Sequence, residues 1–276
     1  LGLEVSEDFV HFIEKDLSFY AHQYRKIRTA SLRRDKDLEE LYYVAQYGFT
    51  LQYPLLLAPL IRQDDEKEIN KKVRIIASYL DILLTRRLWN WRSISYSTLQ
   101  YAMFKNMLEL RGKSADIISK VLIEKLKDEE EDFFHNEDFA MHGQNRVHIH
   151  RILARITDFV ERASGKDSRY ESFIKRSGSN KYEVEHIWAN HYERHDEEFD
   201  HPNDFLDYRN RIGGLLLLPK KFNTSYGDML YQEKYKHYLK NNLLAQSLHP
   251  DCYERNPGFL QFIRENKFPS YRPYFF

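Results

Sequence analysis

Cysteine is nearly absent from this chain: Cys252 stands alone among 276 residues. One thiol excludes an internal disulfide framework and a zinc knuckle built on a CxxC pair. It fits a reducing, cytoplasmic compartment. Long apolar runs are also missing. Leu215 to Leu218 is among the longest aliphatic stretches, far short of the roughly 20 residues that a membrane-spanning helix needs. The start carries Glu4, Glu7 and Asp8 where a secretory signal would place cations, so no signal peptide is visible. Net charge is zero, which argues against a protein that binds nucleic acid over its whole surface but leaves room for a local basic groove. Internal repeats are not evident.

What is present is a globular composition, with 30% charged and 42% hydrophobic residues. Aromatics are abundant, 20 Tyr and 18 Phe, and must pack inside or line a binding surface. The first half reads as helices with apolar stripes and polar backs, the pattern of a bundle. Phe9, Ile13, Leu17, Tyr20 and Tyr24 follow Ser6, a candidate N-cap, at helical spacing. A second helix starts near Asp37, and Pro54 kinks or restarts it. A third runs from about Asp65 to Leu84. Further helices are expected over about 97–110, 114–127 and 144–162. The acidic run from Asp128 to Asp132 reads as a solvated loop.

The texture changes after Ala163, where Ser164-Gly165 and Ser177-Gly178-Ser179-Asn180 break the pattern. Tyr182 to Trp188 alternates and is β-rich, so a short strand is expected. A histidine-rich acidic loop follows. Ile212 to Pro219 reads as a buried strand entered through a glycine turn, Lys220 to Asp228 as a loop, and Met229 to Leu244 as a helix. The expected fold class is α+β and mostly helical. A helical bundle, 1–165, precedes a strand–strand–helix domain, 166–276.

That frame carries a candidate chemistry. Hydrolysis of a phosphodiester needs a base, a cation that stabilises charge on the phosphorane-like state, and contacts that hold phosphate. His186, at the end of the first strand, suits the base because imidazole titrates near working pH. The carboxylate of Glu185 and the side-chain oxygen of Asn223 are hard donors that suit Mg²⁺. Between Arg209 and Lys240 lie seven Lys and Arg residues against only Asp228 and Glu233, a local basic stretch.

The runs Val184-Glu185-His186-Ile187, Arg211 to Pro219, Asn223 and Tyr231-Gln232-Glu233-Lys234 with Tyr238 together resemble the C-terminal nuclease region of GmrSD-type modification-dependent restriction enzymes, a group that includes SspE-like phage-defence nucleases. The strong part of the match covers about 180–250. The resemblance implies a ββα-metal (HNH, or His-Me finger) domain that cuts or nicks DNA with Mg²⁺ or Mn²⁺. It makes His186 the general base and Glu185 and Asn223 the metal ligands. Arg209, Arg211, Lys220, Lys221 and Lys234 become DNA contacts, Lys234 with bracing of the helix as its other role. The family usually has Asn where this chain has Gly214, a residue that buttresses the strand; Asn210 is near enough to substitute.

The resemblance also implies an N-terminal sensing and NTPase domain with a DGQQR-like motif, which does not occur here. The chain begins with Leu rather than Met, and so reads as the effector portion of a longer polypeptide. One such site should nick one strand; a double cut would need a homo-oligomer or a second event. His191, His195 and His201 have no standard zinc-finger spacing. Two basic stretches interleaved with aromatics, His22 to Arg34 and Arg86 to Arg92, are candidate grips on DNA backbone, with ordinary helix surface as the competing reading. The competing function is a catalytically inactive module that binds nucleic acid or protein, with Gly214 the mark of a lost site.

Overall fold

The computed structural model describes residues 3–130 and 132–267. It divides into two compact units, Leu1–Glu137 and Asp138–Phe276. In the first unit, α1 (Ser6–His11) runs through a π-helical stretch (Phe12–Leu17) into α2 (Ser18–Leu32). Then follow α3 (Glu39–Gln46), α4 (Gln52–Leu57), α5 (Glu66–Trp89), α6 (Tyr96–Leu110) and α7 (Ala115–Asp128). Caps define the long helices. Asp65 accepts a hydrogen bond from the Glu68 amide at the start of α5, and Ser95 accepts one from Thr98 at the start of α6. Pro54 sits in the first turn of α4, where its missing N–H costs little.

The core of this unit is aliphatic, built on Leu41, Val44, Leu55, Leu60, Ile76, Leu80, Leu110 and Ile118. One ion pair lies within it: Lys72 Nζ donates to Asp64 at 2.7 and 2.9 Å and to the Pro59 carbonyl at 3.1 Å. The expected inward stripe of the first helix is not buried in this unit, since Phe9, Ile13 and Leu17 are each about half exposed.

The second unit holds α8 (Arg146–Ala163), α9 (Tyr170–Phe173), β1 (Tyr182–His186), α10 (Pro202–Arg209), β2 (Leu215–Pro219), α11 (Lys220–Tyr226), α12 (Tyr231–Tyr238), α13 (Leu243–Gln246), α14 (Cys252–Arg255) and α15 (Pro257–Glu265). Its described residues contain one two-stranded antiparallel sheet, with Val184 opposite Leu217 and His186 opposite Leu215. No helix among the described residues is long and apolar enough to cross a membrane.

Four expectations change here. The boundary falls after Glu137 rather than near residue 165, because α8 packs on β2, α13 and α15 and so belongs to the second unit. The stretch after β2 is not a loop but α11, in which the Thr224 and Ser225 hydroxyls donate back to the carbonyls of Lys220 and Lys221. The long final helix is broken at Asn242, whose side chain caps α13 and donates to the Leu217 carbonyl at 2.7 Å. The acidic loop also contains a helix, α10, started by His201 as N-cap and by Pro202 in its first turn.

Packing of α15 on α8 leaves no room at Gly258. A methyl group there would lie 2.2 Å from the Ser164 carbonyl oxygen, a backbone atom. Gly258→Ala should therefore lower unfolding free energy by about 1–3 kcal/mol. Gly227→Ala, which faces open space, should change it much less. Equal denaturant midpoints for the two variants would contradict this packing.

Candidate active site

The alternation of β1 sets the site. Glu183 and Glu185 point to one face of the strand, Val184 and His186 to the other. The ladder runs one step past the strand, with the Ile187 amide donating to the Gly214 carbonyl at 2.9 Å. That holds His186 at the mouth of a paired, rigid element.

His186 Nε2 lies 2.8 Å from Asn210 Oδ1. An amide oxygen can only accept, so the ring proton sits on Nε2 and the Nδ1 lone pair is left to take a proton. Asn210 is itself anchored at the C-terminal end of α10, where its carbonyl accepts from the Met141 amide at 2.8 Å. Burial pushes His186 down to about 4, helped by the positive charges of Arg209, Lys234 and Arg146 and opposed by the bond to Asn210. The imidazole is therefore neutral at pH 7.

Glu185 and Lys234 are buried against each other, and of the two roles expected for Lys234 bracing fits this placement. Their side chains are 3% and 1% exposed. Lys234 Nζ donates to Glu185 Oε1 at 2.8 Å and to the His186 carbonyl at 3.0 Å. Burial raises the Glu185 carboxyl, and Lys234 opposes the rise. In this arrangement Lys234 is sealed from solvent and the Glu185 carboxylate, buried with it, is far less open to a cation than Glu183, which is about a quarter exposed beside Lys181.

Asn223 rides on α11 rather than in a loop. Its Nδ2 is 3.4 Å from Glu183 Oε2 and 3.5 Å from the Val184 carbonyl, contacts at the limit of hydrogen bonding. Glu183 is the residue that sequence reasoning passed over, although it stands two places before Glu185 on the same strand face. Lys181, 2.7 Å away, holds its carboxyl below the usual range. Among the described residues no three His, Cys, Asp or Glu side chains gather as a metal cage. Glu183 and Asn223 nonetheless suit Mg²⁺, an ion that takes one or two protein oxygens and keeps waters and phosphate as its other ligands.

The remaining cations are unequal. Lys220 and Lys221 are exposed at the start of α11, beside Asn223 in the chain, with Lys221 Nζ 4.8 Å from the Phe222 ring centre. Arg211 is partly exposed, pairs with Asp138 at 2.7 Å and lies over Tyr208. Arg209 is half-buried and donates from Nε to the Trp188 carbonyl at 2.9 Å. Gly214 fits because a Cβ would stand 3.0 Å from the Arg209 carbonyl oxygen, so an Asn there would require that loop to give way. In the histidine-rich loop, His191 pairs with Glu193 and His195 with Glu198, while the His195 ring stacks on Trp188.

A histidine whose pKa falls from 6.5 in the unfolded chain to about 4 on folding binds fewer protons when native between those values. Its contribution to stability is complete above pH 6.5 and is lost as pH falls toward 4. His148 and His150 shift the same way through burial. Urea midpoints at pH 7 and pH 5 should therefore differ less in His186→Gln than in the wild type. An unchanged difference would contradict a buried neutral imidazole.

Among known families, residues 124–257 match the model described as the C-terminal domain of GmrSD restriction endonucleases. No curated protein and no solved structure gives a match. The matched segment contains α8, β1, β2, α11 and α12 whole, and with them His186, Asn210 and Asn223. It starts well before residue 165, in keeping with the placement of α8 in the second unit. A domain of this type is a nuclease, a hydrolase whose substrate is DNA. Residues 124–257 thus belong to the family of GmrSD restriction endonuclease C-terminal domains.

Proposed function

We propose that the second unit is an HNH-type, metal-dependent DNA endonuclease, the effector part of a restriction system in anti-phage defence. The observation that carries this reading is the His186–Asn210 pair, 2.8 Å apart. It stands at the end of a strand that pairs with a second strand leading directly into the helix bearing Asn223. That strand–strand–helix order supports the ββα reading.

In this reading His186 takes a proton through Nδ1 from the attacking water, and Asn210 keeps the ring in the required tautomer. Glu183 and Asn223 would hold Mg²⁺ or Mn²⁺, which supplies charge stabilisation at the scissile phosphate when bound. Lys220, Lys221 and Arg211 face the flanking phosphates, and Arg209 adds positive charge beside His186. Glu185 and Lys234 keep the strand end in place.

Relaxation of supercoiled plasmid in Mg²⁺ or Mn²⁺ tests the assignment. His186→Ala should slow nicking by about 100-fold or more, and Asn223→Ala should lose metal-dependent nicking while keeping its fold. Wild-type rates in both variants would remove these residues from the site. Glu183→Gln should raise the Mg²⁺ requirement by roughly tenfold. Glu185→Gln should instead lower stability by about 3 kcal/mol, because a buried lysine loses its partner. The reverse pattern would return the ligand role to Glu185.

A second reading, an inactive DNA- or protein-binding module, draws on the commitment of Glu185 to Lys234. A wild-type protein that binds DNA and nicks it in neither metal would favour that reading.

A further inference from the structure

Outside the nuclease unit, the helical unit carries a cleft of about 800 Å³ between α2 and α5. Six cations line it and only two acids, Asp35 and Asp37. Three of the six are already spent: Lys26 pairs with Glu66, Arg34 with Glu39 and Lys71 with Asp116. The other three, Arg25, Arg33 and Arg74, are exposed. None of these three side chains has a carboxylate partner among the described residues. Asp35 cannot serve all of them, and one of its oxygens accepts from the Asp37 amide at 2.8 Å.

The spacing is regular. Arg25 and Thr29 lie four residues apart on α2, Arg33 caps its C-terminal end, and Asn70 and Arg74 lie four apart on α5. Residues three and four apart share a helix face. Each wall of the cleft therefore presents guanidinium and neutral polar groups, over a floor that includes Ala30 and Leu38.

We infer that this cleft is a second DNA-binding surface, which takes the phosphodiester backbone of a duplex. Arg25 lies on α2 and Arg33 caps its end eight residues on, about 12 Å along the helix axis. One phosphate cannot bridge that gap, whereas a backbone with a charge at every nucleotide can meet both arginines. Guanidinium groups match phosphate oxygens in forked pairs, and Thr29 and Asn70 add neutral donors. The choice of DNA as the polymer rests on the nuclease reading of the second unit. Such a surface would let the helical unit hold the substrate duplex while the other unit cuts it.

Fluorescence anisotropy of the full chain with a labelled duplex of about 25 base pairs tests this, in EDTA so that binding is read without cleavage. The triple variant Arg25→Ala, Arg33→Ala, Arg74→Ala should bind at least tenfold more weakly near 0.1 M salt. Its slope of log affinity against log salt should be shallower by about 2–3, at about 0.9 per lost phosphate contact. A control that removes equal charge elsewhere in the unit, Lys105→Ala, Lys113→Ala, Lys120→Ala, should stay within twofold of the wild type. The Arg→Gln triple repeats the test if the alanine triple loses its thermal transition.

Wild-type affinity in both arginine triples overturns the assignment. So does an equal loss in the lysine control, which would mean a bulk charge effect, or arginine-dependent binding of polyglutamate with none of DNA, which would mean an acidic protein partner. Failure of the nuclease reading would look different: a wild type that binds through these arginines and nicks in no metal.

Discussion

The site depends on one buried ion pair. Lys234, from α12, reaches both the Glu185 carboxylate and the His186 carbonyl. It thus fastens the helix to the last two residues of β1. Two charges taken from water at such depth are expensive, and the pair repays that cost only while both partners stay in place. Removing one leaves a lone charge in the interior. The same ammonium group orders the backbone that carries the proposed base, so packing and chemistry meet at a single atom. Tyr238, one turn beyond Lys234, is fully buried, and burial beside the Glu185 charge raises its hydroxyl.

From that clamp the other features follow. With β1 held, its alternation fixes which side chains share a face, and antiparallel pairing with β2 sets the path of the chain into α11. His186 then falls against Asn210, where burial, helped by nearby positive charges, keeps it neutral. A neutral imidazole suits a substrate made of phosphates, because exposed cations such as Lys220 and Lys221 in the same unit attract the polymer. Glu183 and Asn223 meet at the other end of the same arrangement.

Much of this was legible in the sequence, and the misses have physical reasons. The strands at 182–186 and 215–219 were readable from alternation and from an unbroken leucine run. The long helices were readable from their stripes. The boundary was misplaced because an amphipathic stripe reports that α8 packs, not against what. The segment from Lys220 to Tyr226 looked like a loop for want of a strong apolar stripe, yet its hydroxyls bond within the helix they would otherwise disfavour. Glu185 was expected at the metal, and Lys234 at phosphate or as a brace, because charged residues are rarely buried. Only the fold reveals that they neutralise each other. The three arginines of the α2–α5 cleft were partly visible as a basic stretch, but Arg74 joins them only in three dimensions.

The central claim is that the strand end presents His186 as a neutral imidazole whose proton is held by Asn210. Nitrogen-15 NMR of the histidine rings at pH 7, with His186 assigned by comparison with His186→Gln, tests it most directly. The expected spectrum has the proton on Nε2 and an unprotonated Nδ1, unchanged down to about pH 5. A proton on Nδ1, or an imidazolium already formed near pH 6.5, would contradict it.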